Sequence, residues 1–466
     1  VKIVGPRLLH STQWGLIDPI DTPDGGNVGL HKHLSIMTYI TPEMSREPMV
    51  QWLRENSRMI PLHECISMQL SNVTKIIVNG FWCGIIHDPL TLMKEMKLHR
   101  RHGLMPIYAS ISFEIHKREL QIYTDGGRLC RPLFYKDEIT EKFVFDTPEW
   151  NQITKMLESV DPKTQTQTLW NRIISGFHDK PKTFDPAKGQ FYKWEQLYKV
   201  PKEQIKSNKA LLEYVDTNET ENTLIAMNNE TLETSSLNYT HRELHASTMF
   251  GILSNLINFP ENNPATRNSF SCGQSKQACS MYSTNHQVRM DKSAVLLNHG
   301  QIPLVKSRYM QYINNEENPY GENAIVAVMC YTGYNVEDAV LINEGALQRG
   351  LFRTTYYTTY EAHEEKEIKR EKVNKESLFG NIESTPNVIG TKEGYDYSLL
   401  DEHGIIRENV EISEKTILIG KSDLIPDKNV RKDSSKKPKK GQLGMVDKVF
   451  MTDGEEGQRI AKVRVR

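Results

Sequence analysis

The sequence has no long apolar run, few cysteines and almost no net charge. No stretch of roughly 18 apolar residues occurs, which excludes a membrane-spanning helix. The six cysteines form no C-x-x-C pair, which argues against a disulfide framework and favours an intracellular protein. Lys and Arg number 58 against 59 Asp and Glu, so binding through bulk positive charge is also excluded. The 466 residues suffice for several domains.

Histidine and cysteine spacing does not indicate a zinc site. In the segment 241–245 (HRELH) the Glu comes one position too late for a zinc-protease helix. His31 and His33 have no third ligand at a suitable spacing, and Cys272 and Cys279 have no second pair. Zinc is therefore not expected. The sequence also lacks a glycine-rich phosphate loop and a dinucleotide-binding fingerprint.

The segment 74–135 carries the clearest secondary-structure signals. Asn79-Gly80 between two apolar runs predicts a two-residue β-hairpin. Asp88-Pro89 predicts the start of a helix and Gly103 its end. Two strand-like runs follow before residue 124, so the segment predicts a small α+β domain.

Elsewhere the sequence predicts loops around scattered strands. Residues 1–50 are rich in Pro and Gly turns and predict an ordered loop system. The apolar run 324–331 (AIVAVMCY) predicts a buried strand, and strands are expected to dominate after residue 351. The basic loop 428–440 holds seven Lys or Arg, and it is either a surface for phosphate backbone or a solvated loop.

Glu337 and Asp338 are adjacent carboxylates in a predicted turn between two apolar strands. Such a pair repels by roughly 1 kcal/mol or more unless a cation lies close. Mg²⁺ carrying phosphates suits this position, because it binds through one or two carboxylates and keeps several waters. The alternative is a turn whose carboxylates simply face water.

Arg267 lies among Pro and Asn residues, which predicts a loop. Its planar, permanently charged guanidinium suits bidentate contact with phosphate. The alternative is an ordinary surface arginine.

Four segments resemble, in the same order, parts of the second-largest (β-like) subunit of multisubunit DNA-directed RNA polymerases. Residues 10–25 (HSTQWGLIDPIDTPDG) resemble its H-x-x-x-W/Y-G-x-x-x-P-x-E-T-P-E-G signature. Residues 76–134 are similar to its first external domain. The segment from 245 onward, with 263–277 and then 331–352 (YTGYNVEDAVLINEGALQRGLF), resembles the start of its hybrid-binding region. Residues 441–466 resemble the last strands of its wall. The order is closer to the eukaryotic and archaeal type than to the bacterial one.

The resemblance implies a mixed α+β multidomain fold. Its parts would be a fork region (1–50), external domain 1 (51–135), a connector with external domain 2 (136–245), the first part of the hybrid-binding region (246–350) and a β-rich wall (351–466). The chain is then expected to be a central fragment, incomplete as an enzyme by itself.

The activity implied by the resemblance is DNA-templated RNA synthesis, in which the RNA 3′-hydroxyl attacks the α-phosphate of a nucleoside triphosphate with two magnesium ions at the reacting oxygens. By motif match, Asp338 and Glu337 would hold the second, substrate-borne Mg²⁺, shared with the largest subunit. The implied partners are that largest subunit, smaller assembly subunits, the DNA template, the RNA–DNA hybrid and nucleoside triphosphates, with no membrane.

Four further residues receive binding roles from the same match. Arg267 matches the arginine that contacts the triphosphate, which would make it catalytic as well as substrate-binding. Lys276 and Gln277 match residues beside the RNA 3′ end, and Arg7 matches a fork-loop residue near downstream DNA.

The sequence also departs from the family pattern. Asp21 and Asp24 stand where the family usually has Glu, and residues 273–277 (GQSKQ) depart from the commoner M-G-K-Q. These departures suggest a divergent line such as that of a large DNA virus. The expected location is the nucleus, or the cytoplasm or virion for a viral protein.

Two other functions compete with RNA synthesis. A non-catalytic scaffold that kept the fold is opposed by the joint presence of the acidic pair, Arg267, Lys276 and Gln277. A secreted binding protein is suggested only by four N-x-T sequons, and the unpaired cysteines oppose it.

Overall fold

The computed structural model describes residues 3–66, 73–137, 140–159, 170, 173–175, 209–313, 316–369, 372–425, 430–455 and 457–466. The chain divides into two compact units, Val1–Gln274 and Ser275–Arg466. Strands and short helices alternate in the first unit and strands dominate the second, which confirms the mixed α+β fold class. The finer five-part division stays a prediction.

The strands of the first unit form two five-stranded sheets. They are β1 (Tyr39–Ile40), β2 (Ile60–Pro61), β3 (Thr74–Val78), β4 (Phe81–Ile86), β5 (Ser110–Glu114), β6 (Glu119–Tyr123), β7 (Leu129–Tyr135), β8 (Glu213–Asp216), β9 (Ile225–Ala226) and β10 (His241–Arg242). One sheet has the order β2-β4-β3-β6-β5, and in the other β7 pairs with β1, β8 and β10, the last of which also pairs with β9.

Helices in the described part of the first unit are α1 (Glu47–Asn56), α2 (Pro89–Arg101), α3 (Pro148–Ser159), α4 (Thr217–Thr220), α5 (Asn229–Thr234) and α6 (Ala265–Ser275). Its 3₁₀ turns are Gly5–Arg7, Ser11–Gln13, Leu62–Glu64, Val144–Asp146, Ala246–Met249, Ser254–Leu256 and Pro260–Asn262. Much of the predicted connector 136–193 lies outside the described residues.

The second unit also contains two five-stranded sheets. Its strands are β11 (Ser293–Leu297), β12 (Thr354–His363), β13 (Lys366–Lys369), β14 (Lys372–Phe379), β15 (Val388–Ile389), β16 (Glu411–Ile412), β17 (Lys421–Ile425), β18 (Val430–Asp433), β19 (Gly444–Asp453) and β20 (Arg459–Val465). The sheet orders are β11-β12-β20-β19-β16 and β13-β14-β17-β18-β15. The helical elements described here are the 3₁₀ turn Arg308–Tyr312 and α7 (Glu344–Gln348).

The predicted α+β segment of the first unit is confirmed. Asn79 and Gly80 both have positive φ, 47° and 81°, and they connect β3 to β4 as a tight hairpin. The Asp88 side chain accepts a hydrogen bond from the Thr91 amide (3.2 Å) at the start of α2, and Gly103 follows its end at φ 72°. Leu92 and Met96 of α2 bury their side chains with residues of α1, β3, β5 and β6.

Three structural expectations were wrong. The run 324–331 is not a strand: no described strand pairs with it, and Ile325 and Val328 are 105% and 99% exposed. An apolar run becomes a buried strand only where another strand and a covering layer meet it, and neither is present among the described residues. The apolar residues after Asp338 are likewise outside any strand. Within the basic loop 428–440, residues 430–433 form β18, because Val430 to Asp433 pair with β17.

A buried network of charged side chains joins the end of α2 to β8, α4 and β10. The Arg100 guanidinium donates to both carboxylate oxygens of Glu219 (2.7 and 2.9 Å) and to Glu213 (3.1 Å). Arg101 donates twice to Glu213 (2.8 and 3.2 Å), and Lys97 lies 3.0 Å from Glu219. These pairings link residues more than 110 positions apart, so they fix how α2 packs on the strands that follow it.

The network contains three cations (Lys97, Arg100 and Arg101) and two carboxylates (Glu213 and Glu219). His241 adds no further positive charge at neutral pH, because its pKa is lowered. Burial lowers the pKa of His241, and the nearby Lys97 and Arg101 lower it further, although its hydrogen bond to Glu213 opposes this. For Glu219, burial alone would raise the pKa, but Arg100 and Lys97 outweigh it and hold the pKa at about 2.

Described helices include none long and apolar enough to cross a bilayer.

We expect the first unit to lose stability in acid. The folded pKa of Glu219 lies below its ordinary value of 4.5, so its ion pairs stabilise the fold fully above pH 4.5 and this contribution is lost as the pH falls towards 2. All six tryptophans precede residue 195, so tryptophan fluorescence during urea unfolding reports on the first unit.

Glu219→Gln should lower the free energy of unfolding at pH 7 by about 3–5 kcal/mol, because Arg100 and Lys97 then remain buried without their carboxylate. The matched control is Glu221→Gln, an exposed carboxyl two residues away, with an expected change within about 0.5 kcal/mol. Equal unfolding midpoints for the two variants would contradict the stabilising role of the network.

Candidate functional site

The predicted site residues are divided between the two units. Arg7 and Arg267 belong to the first unit, whereas Lys276, Gln277, Glu337 and Asp338 belong to the second. Within the first unit, Arg7 donates to the carbonyls of Gly26 and Val28, whereas Arg267 lies beside the Phe270 ring, so no partner is common to both among these contacts. The structure brings Glu337 and Asp338 together on one turn.

The turn 331–339 is organised by the side chain of Asn335. Its carbonyl oxygen accepts from the Tyr331 amide (3.1 Å), and its amide nitrogen donates to the Met329 carbonyl (2.6 Å). Thr332 and Gly333 both have positive φ, 50° and 77°, which reverses the chain. The sequence signal for this loop was the Gly and Asn next to the acidic pair.

Glu337 and Asp338 are exposed at the end of this turn. Among the described residues, no cationic side chain pairs with either carboxylate. Glu337 has φ 59°, a left-handed conformation that costs a non-glycine residue about 1–2 kcal/mol. Strained residues of this kind are enriched at binding and catalytic sites.

The acidic pair fits Mg²⁺ as part of a coordination shell. Its two carboxylates are hard oxygen ligands facing solvent, which leaves room for waters and phosphate oxygens. No group of three or more His, Cys, Asp or Glu side chains suited to a metal occurs among the described residues. Two carboxylates do not fill the coordination shell of Mg²⁺, so waters, phosphate oxygens or other ligands would have to complete it.

Arg267 lies in the first turn of α6, so the predicted loop was wrong. The Pro264 carbonyl accepts from the amides of Arg267 (3.0 Å) and Asn268 (3.3 Å), because proline is compatible with the start of a helix. The Arg267 side chain is exposed, with its guanidinium carbon 5.2 Å from the centre of the Phe270 ring. No acidic partner for it occurs within the described ranges.

The other three predicted residues differ in how they are held. Lys276 and Gln277 form an exposed turn directly after α6. The Arg7 guanidinium donates to the carbonyls of Gly26 (2.7 Å) and Val28 (3.1 Å), so it holds the turn-rich loop of the first unit. A contact of Arg7 with DNA stays a prediction.

Sequence reasoning missed Asp18, which positions the helix that carries Arg267. Buried Asp18 accepts from the Gly251 amide (2.9 Å) and the Ser254 hydroxyl (2.5 Å), and Ser254 contacts Cys272 of α6 (3.5 Å). The Ser269 hydroxyl of α6 donates to the Ile20 carbonyl (2.8 Å). In the sequence, the pair Asp18-Pro19 indicates a turn. It does not indicate that the Asp18 carboxylate accepts hydrogen bonds from residues more than 200 positions away.

Asp18→Ala should destabilise the first unit by about 3 kcal/mol, because it leaves the buried Gly251 amide and Ser254 hydroxyl without an acceptor. Urea unfolding followed by tryptophan fluorescence measures this loss. The control is Asp24→Ala, since exposed Asp24 accepts, within the described part of the chain, a hydrogen bond only from the neighbouring Gly25 amide (2.8 Å). A loss no larger than that of the control would show that Asp18 does not anchor α6.

Three family models match the chain in order. They are described as RNA polymerase Rpb2 domain 3 (residues 1–40), domain 4 (76–137) and domain 6 (253–466). The matched ranges contain Arg7, Arg267 and the acidic pair.

Curated relatives are similar along the whole chain. The DNA-directed RNA polymerase II subunit RPB2 of Encephalitozoon cuniculi is 33% identical over 482 residues, covering 100% of this chain and 38% of the relative. The protein of the same name from Schizosaccharomyces pombe is 32% identical over 501 residues, with the same two coverages. The DNA-directed RNA polymerase subunit Rpo2 of Sulfolobus acidocaldarius is 29% identical over 481 residues, covering 99% of this chain and 38% of the relative.

The chain thus spans a little over a third of the length of these relatives, and it contains the matched domains in their order. Together with the mixed α+β architecture, these matches establish that the chain belongs to the family of second-largest subunits of multisubunit DNA-directed RNA polymerases.

Proposed function

We propose that this chain is a central part of the second-largest subunit of a polymerase that synthesises RNA on a DNA template. Because it spans 38% of its relatives, catalysis requires the rest of that subunit and its partners. We propose as partners the largest subunit, smaller assembly subunits, the DNA template, the RNA–DNA hybrid and nucleoside triphosphates. The proposed location is the nucleus for a cellular source and the cytoplasm or virion for a viral one.

The observation that carries this proposal is the exposed, unpaired acidic pair on a strained turn. Glu337 and Asp338 repel one another, and no described cation relieves that repulsion, so the pair attracts a divalent ion that arrives with the substrate. A bound Mg²⁺ neutralises charge on the triphosphate and orients its phosphates. In this role Asp338 is a ligand and Glu337 adds negative charge to the same position.

Arg267 supplies the complementary positive charge. Its guanidinium is exposed in the first turn of α6, where the helix terminus itself favours anions. A planar donor fork binds two phosphate oxygens at once, which orients the triphosphate as well as attracting it. Asp18, Ser254 and Ser269 hold α6 in place and are therefore positioning residues.

Lys276, Gln277 and Arg7 are proposed to contact nucleic acid. Lys276 and Gln277 are exposed on the turn after α6, which suits contacts with the RNA 3′ end. Arg7 already donates to two carbonyls through one nitrogen, so its contribution near downstream DNA would be to shape the loop as well as to add charge.

Changing both Glu337 and Asp338 to Ala in the assembled enzyme should slow nucleotide addition by about 100-fold, the loss expected when a group that stabilises transition-state charge is removed. Template binding should remain near normal, because the pair acts on the metal of the substrate. Single-nucleotide addition rates measured against magnesium and nucleotide concentration test this.

The control is Glu402→Ala, which removes an exposed carboxylate of the same unit outside the acidic pair. Unchanged addition rates in the double variant would favour the competing scaffold function. Loss of template binding together with activity would instead indicate that the substitutions disturb assembly.

Arg267→Ala should raise the KM for nucleotides about tenfold and lower kcat, because a charge-assisted hydrogen bond to the triphosphate is lost. Arg267→Lys keeps the charge and loses the fork, so an intermediate effect is expected. Normal elongation by Arg267→Ala at limiting nucleotide would remove Arg267 from the substrate site.

A further inference from the structure

A cavity of about 500 Å³ opens in the second unit and shares no residue with the proposed catalytic site. We call it the lysine cavity. It is bordered by β12, the residues just before β11 and part of the basic segment 436–439. Its polar lining includes Lys292, Thr359, Glu361, Lys436, Lys437 and Lys439.

The charge of the lysine cavity is strongly positive. Its one carboxylate, Glu361, is already paired with Lys462 (3.1 Å) and with His363 (2.6 Å). The hydrogen bond from Lys462 and the nearby charges lower the pKa of Glu361, so it stays anionic and committed to these partners at neutral pH. The four lysines of the lining are therefore not neutralised from within the cavity.

Three of those lysines have no acidic partner. Lys292, Lys436 and Lys439 are exposed, and in the part of the chain that the structure describes no carboxylate lies within ion-pair distance of their ammonium groups. Like charges gathered around one cavity repel each other unless an anion is bound.

The basic segment is held by its backbone and by one lysine, which leaves the other ammonium groups available. The Lys439 amide donates to the Tyr360 hydroxyl (3.1 Å), and the Lys436 amide donates to the Ile419 carbonyl (2.8 Å). The Lys437 ammonium donates to the Tyr395 hydroxyl (2.7 Å). Lys437 therefore holds the basic segment in place, and Lys292, Lys436 and Lys439 are the lysines available to bind a ligand.

Thr359 adds an unused polar group to the same lining. Its side-chain oxygen is buried and has no hydrogen-bond partner among the described residues. A buried hydroxyl without a partner costs about 1–3 kcal/mol, and a ligand could accept its hydrogen bond only after a side-chain rotation that turns the hydroxyl into the cavity.

We propose that the lysine cavity binds a phosphate group, carried either by a free nucleotide or by a polynucleotide strand. A phosphate group carries at least one negative charge and several acceptor oxygens, and lysine binds it as a point charge without the fork geometry of arginine. The volume lies within the range of roughly 300–1,000 Å³ that is usual for small-ligand sites. The sequence left two interpretations of segment 428–440, a surface for phosphate or a solvated loop, and this proposal adopts the first. Lys292 and Thr359 join the site from outside that segment.

The test is lysine footprinting of the full-length subunit in its assembled complex. The protein is acetylated briefly with and without inorganic tripolyphosphate or a short oligothymidylate, and each lysine is quantified by mass spectrometry. At a probe concentration of about ten times its Kd, acetylation of Lys292, Lys436 and Lys439 should fall about tenfold. Lys440 is the matched control, because it is exposed beside Lys439 but does not line the cavity.

A variant with both Lys436→Ala and Lys439→Ala provides a second readout. Lys292 then serves as the reporter, and its protection by tripolyphosphate should fall to less than half, because two of the three available cations are gone. Unchanged protection of Lys292 would overturn the shared site.

The two probes distinguish the sources of phosphate. Protection by oligothymidylate at lower concentration than by tripolyphosphate supports a polynucleotide, whereas protection by tripolyphosphate alone supports a free nucleotide. Absence of protection by both, or equal protection of Lys440, overturns the proposal. Neither result depends on Glu337, Asp338 or Arg267, so the proposed catalytic function is tested separately.

Discussion

Charge burial at the end of α2 is the constraint on which the first unit depends. Two adjacent arginines and a lysine are buried there, and burying these charges is unfavourable unless they form ion pairs of good geometry with carboxylates. Glu213 and Glu219 do so from β8 and α4, more than 110 residues further along the chain. The packing of α2 on those strands is therefore specified by ion pairs as well as by apolar contacts, and His241 completes the network only as a neutral side chain.

Whether a polar or charged side chain finds a partner within the fold distinguishes the residues that hold the structure from the candidate site residues. Asp18 is satisfied within the first unit and holds α6 in place through Ser254. Arg7 donates through one guanidinium nitrogen to two carbonyls of the turn-rich segment and so helps to hold it. Glu337, Asp338 and Arg267 are exposed and have no partner of opposite charge among the described residues. Groups that the fold leaves unpaired on strained turns and helix starts are those that a charged ligand can use.

Local patterns predicted the elements whose determinants are local. The Asn79-Gly80 hairpin and the start of α2 at Asp88 follow from backbone preferences of a few residues, and the structure confirms both. The run 324–331 was wrong for the opposite reason, since burial of a strand depends on partners that its own sequence cannot supply. Arg267 was placed on a loop because Pro264 was interpreted as a breaker, whereas at a helix start proline is favourable.

The sequence alone determined the family resemblance, the fold class and the candidate acidic pair and arginine, because motif order and residue chemistry are written directly in the chain. Only the tertiary structure decided which charges are buried and paired, which are left exposed, and that Lys292 and Thr359 line one cavity with residues 436–439. These features depend on contacts between residues tens to more than a hundred positions apart, and no local pattern encodes such a contact.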